Sequence, residues 1–191
     1  MTFRRIFTSV FLLIAVFTFA GIATASDISI FVGAELPGSV RHDGVKTPLD
    51  NGPVYGVRIG NDFSRYFGME YTLAVSPDYL FPTVNKLTDE AERVREARGF
   101  LGSGNLVMNF PDVGELFPFL TAGVGLVHQY GDRNLPVGTK FAFNYGGGVK
   151  FPNLVGPLGA RVDLRGYRAG MFSKKVDIVE LSLGLMISFG R

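Results

Sequence analysis

The stretch from Ile178 to Phe189 constrains the fold of this chain more than any other part of the sequence. Apolar residues occupy every second position, from Val179 to Phe189, and small or polar residues stand between them. A period of two residues is that of a β-strand with two different faces. The chain must therefore provide two different environments for one sheet, one on each side.

The first 25 residues have the parts of a secretory signal peptide. Arg4 and Arg5 form a short positive region, an apolar run follows from Ile6 to Ala20, and a small-residue cleavage site ends at Ala25. We expect residues 1–25 to be removed and residues 26–191 to form a single domain. The alternative is a permanent membrane helix, because the apolar run is about long enough to span a bilayer.

Charge and composition exclude several classes of protein. The chain has 19 basic and 17 acidic residues, so that 17 of each sign are left without Arg4 and Arg5. A general nucleic-acid binder would carry a basic excess, and we expect no nucleic acid as a partner. Two histidines and no cysteine argue against disulfides and against a transition-metal site. We expect neither a metal nor another cofactor.

Seven further stretches alternate in the same way and predict an all-β fold. The 25 glycines and 18 phenylalanines also favour short strands and tight turns over long helices. The predicted strands run from Asp27 to Leu36, Pro53 to Asn61, Tyr66 to Ser76, Gly99 to Phe110, Phe117 to His128, Thr139 to Phe151 and Leu158 to Tyr167. With the last stretch they make eight.

The connections between these strands alternate between long and short, beginning and ending with a long one. Short turns on the periplasmic side and longer loops outside are typical of an outer-membrane barrel with an even number of strands. We therefore predict an eight-stranded antiparallel up-and-down transmembrane β-barrel in the cell outer membrane. One long connection includes a candidate helix from Asp89 to Arg98, with acids early and bases late. An irregular charged loop is the alternative there.

The position of the charges decides which face we expect inside. Eight charged residues, four of each sign, fall on the polar face among Gly, Ser, Thr and Asn. They are Glu35, Arg58, Glu70, Lys150, Arg161, Asp163, Arg165 and Glu180. In a narrow barrel such a set can fill the lumen as a paired network. We place Glu180 near the outer end, within reach of an arginine of the seventh strand. A soluble lipocalin-like carrier, with the apolar set inside, is the alternative.

Four stretches resemble the repeated strand pattern of the outer-membrane protein β-barrel domain family, the OmpA-like and OmpX-like small barrels. They are Pro118 to Leu126, Phe141 to Phe151, Leu158 to Tyr167 and Leu181 to Leu185, and the segment from Arg65 to Glu70 is similar to the family's second-hairpin turn. The resemblance implies a monomeric barrel that contacts outer-membrane lipid and lipopolysaccharide. It also implies handling by the barrel-assembly machinery, with Phe189 as the C-terminal signal.

Small barrels of this shape include lipid A-modifying enzymes, and the deacylase type carries a His and a Ser close together on a late strand. The comparable strand here reads Arg165 to Arg168 without either residue. Ser39, His42 and Asp43 share a loop, but nothing in the pattern brings them together. We therefore expect a protein without catalytic activity, and a lipid A- or phospholipid-modifying enzyme is the alternative.

The last long loop collects positive charge on the outward side of the predicted barrel. Arg168, Lys174 and Lys175 lie in it. Phosphate groups form charge-assisted hydrogen bonds with such side chains. The loop is therefore our candidate for contact with lipopolysaccharide, although solvated loop charge explains the same residues. The sequence predicts a structural or surface-interaction protein with a plugged polar lumen.

Overall fold

The computed structural model describes residues 27–42, 45–48, 51–77, 98–130, 139–170 and 176–189. The predicted signal peptide, residues 89–97 of the predicted helix, Lys174 and Lys175 lie outside these ranges. None of the described residues belongs to a helix long and apolar enough to cross a membrane.

Ten strands make up the described part of the chain. They are β1 (Asp27–Pro37), β2 (Ser39–His42), β3 (Val45–Pro48), β4 (Gly52–Asp62), β5 (Phe67–Ser76), β6 (Arg98–Asn109), β7 (Phe117–Tyr130), β8 (Thr139–Val155), β9 (Leu158–Ala169) and β10 (Val176–Ser188). Eight of them correspond to the eight predicted strands. The other two, β2 and β3, pair as a short hairpin inside the first long connection, which the sequence pattern did not predict.

The eight long strands close into an antiparallel barrel in which every strand pairs with its neighbours along the chain. The ring is completed where β1 pairs with β10, so that neither is left as an open edge. Partners followed around the ring from Asp27 return to β1 at Pro37, ten residues further on. This stagger tilts the strands and fixes which inward side chains meet. The predicted fold class is confirmed.

Three short turns mark one end of the barrel, which we call the turn end. β1 begins and β10 ends there too, and the long connections lie at the opposite end, the loop end. The tightest turn is Gly156 and Pro157 between β8 and β9, where Gly156 has a φ of 59°. A positive φ followed by proline suits a two-residue hairpin with glycine first. β8 extends past its predicted end at Phe151 through an irregularity that includes Asn153, whose φ is 58°.

The barrel turns its apolar set outward. Leu185 is 66% exposed and Ile30 60%, while the guanidinium-bearing Arg58 is 0% exposed. An apolar exterior with charges in the interior is the arrangement of a membrane barrel, because lipid covers the outside. This contradicts the soluble lipocalin-like alternative, which needs the opposite arrangement.

Candidate functional site

The structure places all eight of the predicted lumen charges on the inward face, and each is buried. They come from strands on one side of the ring, chiefly β1, β4, β5, β9 and β10. Burial of a charge is costly unless it is paired and hydrogen-bonded. The contacts of each group therefore decide what the lumen can do.

Asp163 lies at the centre of the network and meets three guanidinium groups. Arg161 donates from Nε to Oδ2 and from Nη2 to Oδ1, both at 2.8 Å. Arg165 Nη2 lies 2.8 Å from Oδ1, and Arg58 Nη1 lies 3.3 Å from Oδ2. The paired geometry with Arg161 is the fork arrangement that arginine favours with carboxylates. One carboxylate thus joins β4 to β9 across the lumen.

Glu70 holds two of the same arginines from the opposite wall. Arg165 Nη2 lies 2.6 Å from Oε1, and Arg161 Nη2 lies 2.8 Å from Oε2. Arg165 also reaches Thr72 Oγ1 at 3.5 Å. β5 is therefore joined to β9 through side chains that lie across the barrel interior.

Glu180 has a different partner from the expected one. Arg58 of β4 pairs with it through Nη2, Ser182 Oγ donates to Oε1 at 2.7 Å, and Tyr167 Oη donates to Oε2 at 2.8 Å. Arg165 stands directly opposite Glu180 in the register but directs its guanidinium to β5. The expectation of a seventh-strand arginine was wrong, because a long side chain reaches across the lumen as easily as to the next strand.

Lys150 pairs with a carboxylate that the sequence pattern did not single out. Its Nζ lies 2.5 Å from Asp27 Oδ2, near the turn end, and both side chains are almost completely buried. Asp27 is the first residue of β1 and alternates correctly with Ser29. The inward phase of Asp27 in the alternation was therefore the one available signal. With Asp27 included, the described lumen holds five buried carboxylates and four buried cations.

Two phenylalanines in the lumen lie against these cations. Arg58 Cζ lies 3.6 Å from the centre of the Phe31 ring, and Phe119 has Arg161 Cζ at 5.1 Å and Lys150 Nζ at 5.5 Å. Such contacts are worth about 2 kcal/mol when desolvated. Glycine makes room for the rings, since a Cβ added at Gly148 would lie 2.9 Å from the Phe119 ring and 2.1 Å from a backbone oxygen.

Glu35 is the exception in the network. It is 3% exposed and stands directly opposite Glu180 in the β1–β10 register. No ion pair or hydrogen bond joins it to the part of the chain that the structure describes. Arg58 forms the ion pair with Glu180, and Glu35 is a buried carboxylate beside it that meets no cation among the described residues.

The wall formed by β6, β7 and the first half of β8, before Lys150, carries amides and hydroxyls in place of charges. Asn105, Thr121 and Asn144 are buried, and Thr121 Oγ1 and both polar atoms of the Asn144 side chain have no hydrogen-bond partner in the described protein. Buried polar groups of this kind are normally satisfied by ordered water. We call this wall the amide side and the network around Asp163 the charged side.

Together these contacts close the lumen. Arginine side chains from β4 and β9 meet carboxylates from β5, β9 and β10 in mid-barrel. Nearer the loop end, apolar residues fill the interior as one cluster. They are Phe31, Val54, Ala74, Leu101, Val127, Ala142, Tyr167, Ala169 and Ile178. The described interior is a packed plug in two layers, one ionic and one apolar.

Comparison with known proteins identifies the fold and not the activity. No family model and no characterised protein matches the sequence. Among solved structures, Neisserial surface protein A matches with a TM-score of 0.60 at 14% identity, over 85% of this chain and 97% of that one. OprG from Pseudomonas aeruginosa matches with a TM-score of 0.54 at 13% identity, over 88% and 98%.

The N-terminal β-barrel domain of Pseudomonas aeruginosa OprF also matches, with a TM-score of 0.52 at 16% identity over 85% of this chain and 98% of that domain. This chain has the fold of the small outer-membrane barrels. The expected resemblance is thus confirmed for the architecture. Together with the apolar exterior, it places the barrel in the outer membrane, with the turn end toward the periplasm and the loop end outside.

Of the three residues predicted to contact lipopolysaccharide, Arg168 lies within the described ranges, at the loop end of the barrel. Arg168 is exposed, with 56% of its side chain accessible, and pairs with Asp177 through Nε at 2.8 Å and Nη2 at 3.3 Å. Lys174 and Lys175 lie outside the described residues. Sequence reasoning missed the pairing with Asp177, which the β9–β10 register brings opposite Arg168.

The candidate catalytic loop residues are not brought together by the described backbone. Ser39 and His42 stand at the two ends of β2, three residues apart in an extended strand, or about 10 Å. Asp43 lies outside the described residues. The other histidine, His128, stands opposite Thr139 at the loop end, with Nδ1 2.6 Å from Oγ1.

Phe189 lies at the turn end and is 48% exposed. It lines a cleft of about 350 Å³ together with Tyr66, Phe110 and Phe117, in which Asp62 and Arg65 are also present. Aromatic residues at this level are typical of the membrane interface of a barrel. Phe189 is therefore accessible at the turn end of the barrel, which faces the periplasm.

Proposed function

We propose that this barrel is a non-catalytic structural or surface-interaction protein of the outer membrane, monomeric and without conductance, that contacts lipopolysaccharide at its loop end. The observation that supports a barrel without conductance is the closed lumen. Arg58, Arg161 and Arg165 are each 0 or 1% exposed, and all three meet Asp163 in mid-barrel. A channel needs a polar lumen filled with water, and this one is filled with its own side chains.

Conductance of purified barrel in planar bilayers tests the plug. We expect no unitary steps from the wild-type protein, because opening a path would separate several buried ion pairs. The matched variant is Arg161→Ala with Arg165→Ala, which shortens two side chains that lie across the lumen. Steady wild-type openings of uniform size would contradict a closed lumen.

Contact with lipopolysaccharide is supported by the exposed cation of Arg168 at the outer rim. Guanidinium groups bind phosphates through charge-assisted hydrogen bonds. We expect the triple variant Arg168→Ala, Lys174→Ala, Lys175→Ala to retain less lipopolysaccharide during purification than wild type. Arg65→Ala at the opposite end is the control. Equal retention by all three proteins would count against the contact.

The absence of catalysis is tested on the lipid itself. Mass spectrometry of lipid A and phospholipids from deletion and overexpression strains should show unchanged acyl patterns. A changed pattern that purified protein reproduces on lipid A would overturn the proposal in favour of a lipid-modifying enzyme.

Handling by the barrel-assembly machinery is supported by the accessible position of Phe189 at the turn end. Phe189→Ser should lower the fraction of protein that reaches the outer membrane as folded barrel, measured by the heat-dependent shift in gel mobility. Phe63→Ser, at an exposed aromatic residue of the first turn, is the control.

A further inference from the structure

The lipid-facing wall contains a furrow of about 1010 Å³ that the closed lumen does not explain. Its lining is almost entirely apolar and crosses the outer faces of β5 to β10. It includes Phe67, Ala122, Tyr145, Gly147, Gly166 and Val179. The volume is at the upper end of the range of small-molecule sites.

The furrow forms where small residues on neighbouring strands are each paired with large ones. Gly147 is opposite Leu120 on one side and Leu164 on the other, and Gly166 is opposite Tyr145 and Val179. Ala122 is opposite Tyr145 on β7. Small side chains form the floor and large ones the walls.

The furrow runs from the turn end of the barrel toward the loop end. Phe67 begins β5 at the turn end, whereas Gly166 and Val179 lie toward the loop end of β9 and β10. On the same outward faces the next positions are Arg168 and Asp177, two residues further along each strand. At about 3.3 Å per residue the ion pair stands about 7 Å beyond the end of the furrow.

An apolar furrow that ends at an exposed cation fits an amphiphile with an anionic headgroup. Phe143 and Tyr145, whose ring centres are 6.3 Å apart, stand beside this end on β8, opposite Arg168 and Gly166. Aromatic side chains of this kind mark the level of the lipid headgroups. The apolar part of the ligand therefore lies within the bilayer and its charged part at the outer surface.

We propose that the furrow holds an acyl chain of lipid A while Arg168 binds a lipid A phosphate, so that one lipopolysaccharide molecule occupies a defined site on the β7–β9 wall. This proposal rests on the lipopolysaccharide contact of the proposed function and gives it a location. The charge of Arg168 selects an anionic lipid, and the loop end places that lipid in the outer leaflet.

A second copy of the chain fits the furrow less well. A two-fold interface sets the same surface against itself, and two concave surfaces leave a void between them. Voids forfeit the packing contacts that drive association within lipid. A flexible acyl chain fills a concave apolar surface without this conflict.

Asp177 weakens phosphate binding at Arg168, and its replacement gives the most discriminating test of the site. A guanidinium has five N–H donors, and Asp177 accepts from Nε and Nη2 of Arg168. Donors are left for a phosphate, but the carboxylate repels it. Asp177→Asn should therefore tighten lipid A binding about threefold or more, an effect that a merely structural ion pair would not produce.

Binding is measured with purified full-length mature barrel in detergent micelles, with bisphosphorylated lipid A, its dephosphorylated form and phosphatidylglycerol as probes. Arg168→Ala should weaken binding of bisphosphorylated lipid A about tenfold, the equivalent of one charge-assisted hydrogen bond. It should leave the dephosphorylated form unchanged. Equal loss for both forms would overturn the phosphate role of Arg168.

The furrow is tested by filling it. Ala122→Phe should weaken binding of all acylated probes about tenfold, whereas Ala34→Phe, at an outward position of β1 away from the furrow, should not. Ala122→Leu is the milder variant if the first fails to show the gel shift of a folded barrel. Equal affinity of the Ala122 and Ala34 variants would overturn the furrow site.

Different results would disprove the lipopolysaccharide contact and its location in the furrow. If the wild-type barrel binds none of the lipid A probes, the lipopolysaccharide contact itself is wrong. If the wild type binds but the furrow and Asp177 variants behave as wild type, the contact stands and its location is wrong. Tighter binding of phosphatidylglycerol than of lipid A would replace lipid A by a phospholipid and overturn the proposal.

Discussion

The charged side and the amide side of the lumen are built on the same alternating strands, yet they solve burial in opposite ways. Around Asp163 every arginine meets at least one carboxylate within 3.3 Å. On the amide side, Thr121 Oγ1 and the Asn144 amide meet no protein group among the described residues. A charge must be paired inside the protein, whereas a neutral amide can be satisfied by water. The charged side should therefore hold the barrel together, and the amide side should tolerate change.

Inward glycines make room for the arginine side chains of the charged side. A Cβ added at Gly184 would lie 2.9 Å from Arg161 Cγ, and one added at Gly146 would lie 3.1 Å from Arg165 Cγ. These glycines stand beside the arginine stems and let them cross the lumen. Inward glycine on one strand is thus part of how arginine fits on the next.

The largest effect should come from Asp163→Leu. The substitution leaves three buried guanidinium groups without their shared carboxylate, and such a loss typically costs about 3–5 kcal/mol. The free energy of unfolding in urea, measured in lipid vesicles, checks this. A wild-type value would show that the inward facing of this carboxylate is wrong.

Glu70→Gln and Glu35→Gln form a matched pair within the charged side. Glu70 pairs with two arginines, so its change should cost about 1.5–3 kcal/mol, the range of hydrogen bonds to charged groups. Glu35 has no cation among the described residues and faces Glu180, so its change should be neutral or stabilising. Comparable losses from the two variants would mean that Glu35 has a cationic partner.

Phe31→Leu should have a smaller effect, about 1–2 kcal/mol, because it removes the ring beneath Arg58 but keeps an apolar side chain. The same change at Phe119, whose nearest cation lies 5.1 Å away, should cost less. Urea unfolding of both variants checks the order. A reversed order would show that ring packing outweighs the cation contacts.

The smallest effect should come from Asn144→Leu on the amide side. No protein hydrogen bond is lost, so the free energy of unfolding should change by less than about 1 kcal/mol. Urea unfolding beside Asp163→Leu gives the comparison directly. A loss as large as that of Asp163→Leu would show that the two sides contribute equally.

The eight strands, their alternation and the inward facing of the charges could be predicted because each is a local property. A side chain two residues along a strand returns to the same face whatever the rest of the chain does. Glu70, Arg161 and Asp163 were therefore assigned to the lumen from their phase alone. Asp27 had the same phase but stood at the predicted start of the barrel, where the pattern is too short to be informative.

Pairing was decided by tertiary structure. The ten-residue stagger of the closed ring brings Arg58 to Glu180 and Lys150 to Asp27, which are far apart in the chain. The register between β9 and β10 places Arg168 opposite Asp177, and the register between β8 and β9 brings Gly147 and Gly166 to adjacent strands in the floor of the furrow. The period of a strand determines which face a residue occupies. Only the register between strands determines what it meets there.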